Sequence, residues 1–139
     1  MDTGYGAVFD DLDSDERNDS NRVSTAMDVA RGGRFLGVPP ELPGYPSSSW
    51  YSYDAPSCTY GCQKSEYIYW LLTSYLGAQD GPGRAESIAQ EWRHNTREKL
   101  ENGHGPMPPD ELGLALLLDP RYCLPIHKLP NGHYAPTVG

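Results

Sequence analysis

The sequence predicts a mainly α, small helical domain of three or four helices, with a long Pro-rich wrapping segment and a short C-terminal hairpin. Three observations predict it. Apolar side chains recur at helical spacing in four windows, at about 21–31, 62–76, 82–101 and 109–118. Most of the fifteen glycines and thirteen prolines fall between or at the ends of those windows, which makes the connections long and irregular. At 139 residues the chain is long enough for one core and too short for two.

Residues 1–20 read as an acidic, flexible arm ahead of a single helical domain at 21–139. Between Asp10 and Asp19 lie six acids and one arginine, net −5 out of the chain's −8. The first helix is expected at about 21–31. Ser20 is positioned to cap it, Val23, Ala26, Met27 and Ala30 share one face, and Gly32-Gly33 stops it. Residues 34–57 carry five prolines and should run extended over the core.

The strongest helix is expected at about 62–76. Ile68, Leu71, Leu72, Tyr75 and Leu76 form its stripe, and Tyr67 and Trp70 widen it until most sides are apolar. Such a helix belongs at the centre. One continuous helix is expected at about 82–101, capped by Asp80, with Ala85, Ile88, Ala89, Trp92, Thr96 and Leu100 at helical spacing. The run DELGLALLLD gives a short buried helix at about 109–118, with Gly113 a weak point in it. Pro130-Asn131-Gly132 between short apolar runs is the turn signal for the terminal hairpin.

Charge narrows the function. A net charge of −8 and a pI of about 4.8 disfavour nucleic acid, whose phosphates require Lys and Arg, and an anionic membrane surface. No apolar run reaches the roughly 18–20 residues of a membrane span. The opening MDTGYGAVFDDLD has neither the basic region nor the apolar region of a signal peptide.

Seven of the ten tyrosines lie between Tyr45 and Tyr75. Burial preferences make these rings core, with each hydroxyl meeting a polar partner at the edge. The alternative is a sugar-stacking platform on Trp50, Tyr51 and Tyr53, a site that needs flanking amide and carboxylate groups that are sparse here.

Asp11, Asp13, Asp15 and Asp19 stand at relative positions 1, 3, 5 and 9 of a calcium loop. The pattern breaks where Glu16 replaces the turn glycine and Arg22 replaces the bidentate glutamate. The loop therefore reads either as a weak calcium site, calcium being the one cofactor indicated, or as a solvated acidic arm.

Cys58 and Cys62 are spaced CxxxC, unlike the CxxC of redox and zinc motifs. Three arrangements stay open: a local Cys58–Cys62 bridge, three reduced thiols, or a long bridge from either residue to Cys123. None of His94, His104, His127 and His133 pairs at i, i+4, and no HExxH, P-loop or GxSxG is present. No residue is singled out as catalytic. Glu66 and Glu91 share only adjacent helices.

The stretches RVSTAMDVARGGRF, YPSSSWYSYDAPSCTYGC and SEYIYWLLTSYLGAQ resemble the C-terminal run of an uncharacterised family of acidic, secreted, zincin-like (metalloprotease-like) proteins. The matching segments are Ala30–Phe35, Trp50–Cys62, Glu66–Gln79 and Leu129–Tyr134. Longer members of that family carry an upstream helix with histidines at metal-ligand spacing, and this chain has none. The resemblance implies an extracellular, non-catalytic accessory or interaction module whose partner is an upstream domain of the same parent protein. The alternatives are a fragment of a zinc-dependent hydrolase without its metal-binding part, or a calcium- or sugar-binding extracellular module.

Overall fold

The computed structural model describes residues 9–15, 20–35, 44–53, 57–122, 124 and 126. Among these the protein is mainly helical, with a 3-10 turn at Asp10–Leu12 and five helices: α1 (Arg22–Arg31), α2 (Tyr60–Tyr75), α3 (Arg84–Ile88), α4 (Arg97–Asn102) and α5 (Glu111–Leu118). α1 packs on both α2 and α5, and α4 packs on both α2 and α5.

α1 forms where the apolar spacing places it, and Val23, Ala26, Met27 and Ala30 are all buried. Its cap is Asn21 rather than Ser20: the Asn21 side chain accepts from the Ser24 N–H. The Asn21 amide also donates to the carbonyls of Asp10 (2.8 Å) and Asp13 (2.9 Å). One side chain therefore starts the helix and holds the acidic segment in place. Within the acidic arm, residues 9–15 pack on the domain, with Leu12 in the core. Gly32 ends α1 at φ 78°, and a Cβ there would lie 2.7 Å from Pro46 Cγ. Glycine is required twice over, by conformation and by close approach.

α2 is the central rod. Thr59 caps it by accepting from the Cys62 N–H, and Tyr67, Ile68, Trp70, Leu71 and Ser74 are buried along it. The wrapping segment reaches it through residues 50–52. The Trp50 and Tyr51 N–H groups both donate to the Ala30 carbonyl at the end of α1. On the other side, Ser52 N–H donates to Glu91 O and Arg93 N–H donates to Trp50 O, with an antiparallel bridge between Tyr51 and Trp92.

That bridge corrects the expected helix at 82–101. The segment is two short helices, α3 and α4, separated by an extended stretch around Trp92. Asp80 does not cap α3; Gly83 stands before it at φ 73° without a side-chain cap. Thr96 caps α4 instead, accepting from the Lys99 N–H. Ile88, Trp92 and Leu100 are buried as the spacing requires. The Glu91 and Trp92 N–H groups still donate to the Ile88 carbonyl, but the Glu91 carbonyl and the Arg93 N–H pair with Ser52 and Trp50, an alternative to continuing the helix that apolar spacing does not reveal. The expected terminal hairpin around residues 129–134, and Cys123, lie outside the described residues.

Candidate functional site

The most concentrated polar chemistry lies inside the fold, around Asp110. Asp110 is the N-cap of α5, and its Oδ1 accepts from the Gly113 N–H at 3.0 Å. Oδ2 accepts from Trp50 Nε1–H at 3.0 Å, and the Tyr67 hydroxyl donates at 3.0 Å to Oδ2. The residue is only 1% exposed. Burial pushes its carboxyl up to about 6, and the donors from Trp50, Gly113 and Tyr67 oppose that rise. Burial and the Asp110 carboxylate push the Tyr67 hydroxyl well above its ordinary range.

Gly113 makes this approach possible. A Cβ there would lie 2.6 Å from Tyr67 Oη, 2.7 Å from Asp110 Oδ1 and 2.8 Å from Leu71 Cδ1. The weak point in the helix is thus the position where the Tyr67 and Leu71 side chains of α2 reach the start of α5.

His94 stacks on Trp50, with ring centroids 4.9 Å apart and planes 12° apart. Its Nε2 lies 2.7 Å from the Pro108 carbonyl. A carbonyl only accepts, so Nε2 carries the hydrogen and Nδ1 the lone pair. That Nδ1 is buried without a hydrogen-bond partner among the described residues. Burial pushes the imidazole down to about 4, the Pro108 bond opposes the shift, and His104, Lys99 and Arg93 add to it. At neutral pH the ring is neutral.

Two cations are also interior. Arg31 donates to Gln63 Oε1 (2.6 Å), Asp28 Oδ1 (3.3 Å) and the Phe35 carbonyl. Its guanidinium lies over the rings of Phe35 and Tyr60. Gln63 Nε2 donates onward to the Cys58 carbonyl at 3.1 Å. Lys64, 0% exposed, donates to the carbonyls of Asp13 (3.0 Å) and Asp15 (2.8 Å).

Lys64 bears on the calcium reading. Asp11 Oδ2 accepts from the Tyr122 hydroxyl, and Asp13 Oδ1 accepts from the Asp15 N–H. Asp19 lies outside the described residues. Among the described residues no group of three His, Cys, Asp or Glu side chains could hold a metal ion. The cation seen at the acidic loop is the chain's own ammonium group, set on backbone carbonyls.

The stacking platform on Trp50, Tyr51 and Tyr53 is corrected by burial. Trp50 is 2% exposed and Tyr51 0%. Trp50 is covered by His94; Tyr51 packs against Tyr67 and Trp92, and its hydroxyl donates to Gln63 O. Tyr53 is half-buried, and its N–H donates to the Tyr45 hydroxyl. The rings of Trp50 and Tyr51 have protein partners where a sugar would have to lie.

Cys58 and Cys62 have their sulfurs at disulfide distance, with Cα atoms 5.3 Å apart. Of the three arrangements left open by the sequence, the structure holds the local bridge. Glu66 is half-buried on α2, and Glu91 accepts from Trp70 Nε1–H at 3.2 Å. On the outside, Ser52, Ser87, Ile88, Gln90 and Glu91 line a hollow of about 160 Å³.

Asp110, His94, Arg31 and Lys64 escaped sequence reasoning as sites. Only Asp110 had a local signal, as a capping residue three positions before Gly113. No protein-family model, curated protein or solved structure matches this chain.

Proposed function

We propose that the chain is a non-catalytic accessory or interaction module, resembling the C-terminal part of a secreted metalloprotease-like protein and acting beside an upstream domain of the same parent. The observation that carries the reading is the placement of its reactive side chains. Asp110, His94, Arg31 and Lys64 lie in the interior, where each ties one segment of chain to another. A general acid or base must reach its substrate's proton directly or through one water; Asp110, Arg31 and Lys64 spend hydrogen bonds on Trp50, Gln63 and the Asp13 and Asp15 carbonyls, and the open lone pair on His94 Nδ1 is buried. The local disulfide fits an oxidising compartment.

The test is metal content together with turnover. The purified chain is expected to hold no stoichiometric zinc or calcium, to melt at the same temperature with either ion or with chelator, and to leave peptide substrates intact. Stoichiometric zinc or zinc-dependent peptide cleavage would support the hydrolase fragment instead. A melting temperature raised by millimolar calcium and reversed by chelator would support the calcium-stabilised module.

A further inference from the structure

We propose that the Cys58–Cys62 disulfide is a reversible thiol–disulfide exchange site, in which Cys62 is the sulfur that takes the incoming thiol. The inference goes beyond the module reading and does not rest on it. The bridge spans four positions, so it constrains little of the unfolded chain and adds little stability by that route. Its two ends differ in access: Cys58 is 5% exposed, and Cys62 is an exposed residue. Cys62 also occupies the first turn of the sixteen-residue α2, where its own N–H is held by the Thr59 side chain. Access selects Cys62 for attack, and the positive end of that helix favours a thiolate at Cys62 once the bridge is open, which makes it the attacking sulfur on reoxidation.

The co-reactant is a thiol reductant, supplying two thiols from one dithiol or from two glutathione molecules, and each step balances. One reductant thiolate attacks Cys62 Sγ. The Sγ–Sγ bond breaks, a mixed disulfide forms on Cys62, and Cys58 leaves as a thiolate that takes up a proton. The second reductant thiolate then attacks the reductant's own sulfur in the mixed disulfide. Cys62 is released, two electrons have passed to the protein, and the reductant leaves as its disulfide. Oxidation runs the same path backward, with the Cys62 thiolate attacking an external disulfide and Cys58 resolving it.

Reduction has a route into the fold. The Cys58 carbonyl accepts from Gln63, Gln63 Oε1 accepts from Arg31, and Arg31 donates to the Phe35 carbonyl. Freeing Cys58 loosens this chain at the seam between α1 and α2. The aromatic packing of Tyr67, Trp70 and Trp92, further along α2, stays in place.

The experiment uses the full chain carrying Cys123→Ser, equilibrated in glutathione buffers of varied thiol-to-disulfide ratio. Trapping by alkylation and peptide mass mapping locates the adducts while tryptophan emission reports folding. The expected result is reversible opening with native emission, glutathione on Cys62 over Cys58 by on the order of tenfold, and faster amide exchange at residues 33–35 in the reduced form. Opening only together with loss of native emission would overturn the proposal, and so would glutathione predominantly on Cys58. If Cys123→Ser disturbs folding, mapping the wild-type chain gives the same reading, because its Cys123 peptide is separate.

Discussion

Trp50 and Asp110 stand 60 positions apart and share a buried hydrogen bond of 3.0 Å. It joins the wrapping segment to the start of α5. His94 covers the indole from one side, and the Tyr67 hydroxyl from α2 meets the same carboxylate. Three segments distant in sequence thus close on one acid. Trp50→Phe removes the donor and leaves a void beside His94. Stability to urea should fall by about 2–4 kcal/mol with little change in m. A change under about 0.5 kcal/mol would mean that the indole N–H is not a buried partner of Asp110.

Gly113→Ala should destabilise, against its helix propensity. Alanine is favoured by about 1 kcal/mol in a helix interior. The added Cβ meets Tyr67 Oη, Asp110 Oδ1 and Leu71 Cδ1 at 2.6–2.8 Å. Crowding of that kind typically costs about 1–3 kcal/mol. The loss should shrink in a Tyr67→Phe background, because the nearest of the three atoms is gone; purely additive losses would contradict the contact.

Asp110 and His94 should drive stability in opposite directions across the same acidic window. Asp110 has its folded value raised from 3.8 to about 6, so its contribution is full below the ordinary carboxylate range and is lost as pH rises through 6. His94 has its folded value lowered from 6.5 to about 4, so its contribution is full above 6.5 and is lost as pH falls through 4. Each effect is on the order of 2–3 kcal/mol. Relative to wild type, Asp110→Asn should therefore gain stability as pH rises from 4 to 6, and His94→Gln should lose it. Denaturant titrations at intervals of pH read the two slopes. Slopes of the same sign would contradict the assignment.

Lys64→Met should weaken the hold on the acidic segment. The substitution keeps most of the buried stem and removes the ammonium from the Asp13 and Asp15 carbonyls. A loss of about 1–3 kcal/mol is expected, with faster amide exchange concentrated at residues 10–15. Exchange unchanged there would show that the arm does not depend on the lysine.

The helical windows were legible because burial repeats along one face: Val23, Ala26, Met27 and Ala30 needed no knowledge of the rest of the chain. The same logic failed between Ala89 and Asn95. Trp92 is buried at the predicted spacing, but the backbone around it pairs with residues 50–52, a contact about 40 positions away. Gly113 shows a similar limit. Its propensity cost is local, and its role as the gap for Tyr67 Oη is tertiary. The calcium-type spacing of Asp11, Asp13 and Asp15 did not reveal Lys64, which donates to the backbone carbonyls of Asp13 and Asp15 and lies 49 positions from Asp15. Sequence spacing marks which side chains go inside but does not reveal which polar groups meet there.

The most direct test uses the chain's three tryptophans, because Trp50, Trp70 and Trp92 are 2%, 5% and 0% exposed and no other indole contributes. Acrylamide quenching of the native chain should stay far below that of free indole, be unchanged by oligosaccharide, and rise only through the urea transition. Quenching in native buffer close to that of free indole would place the rings at the surface and contradict the account.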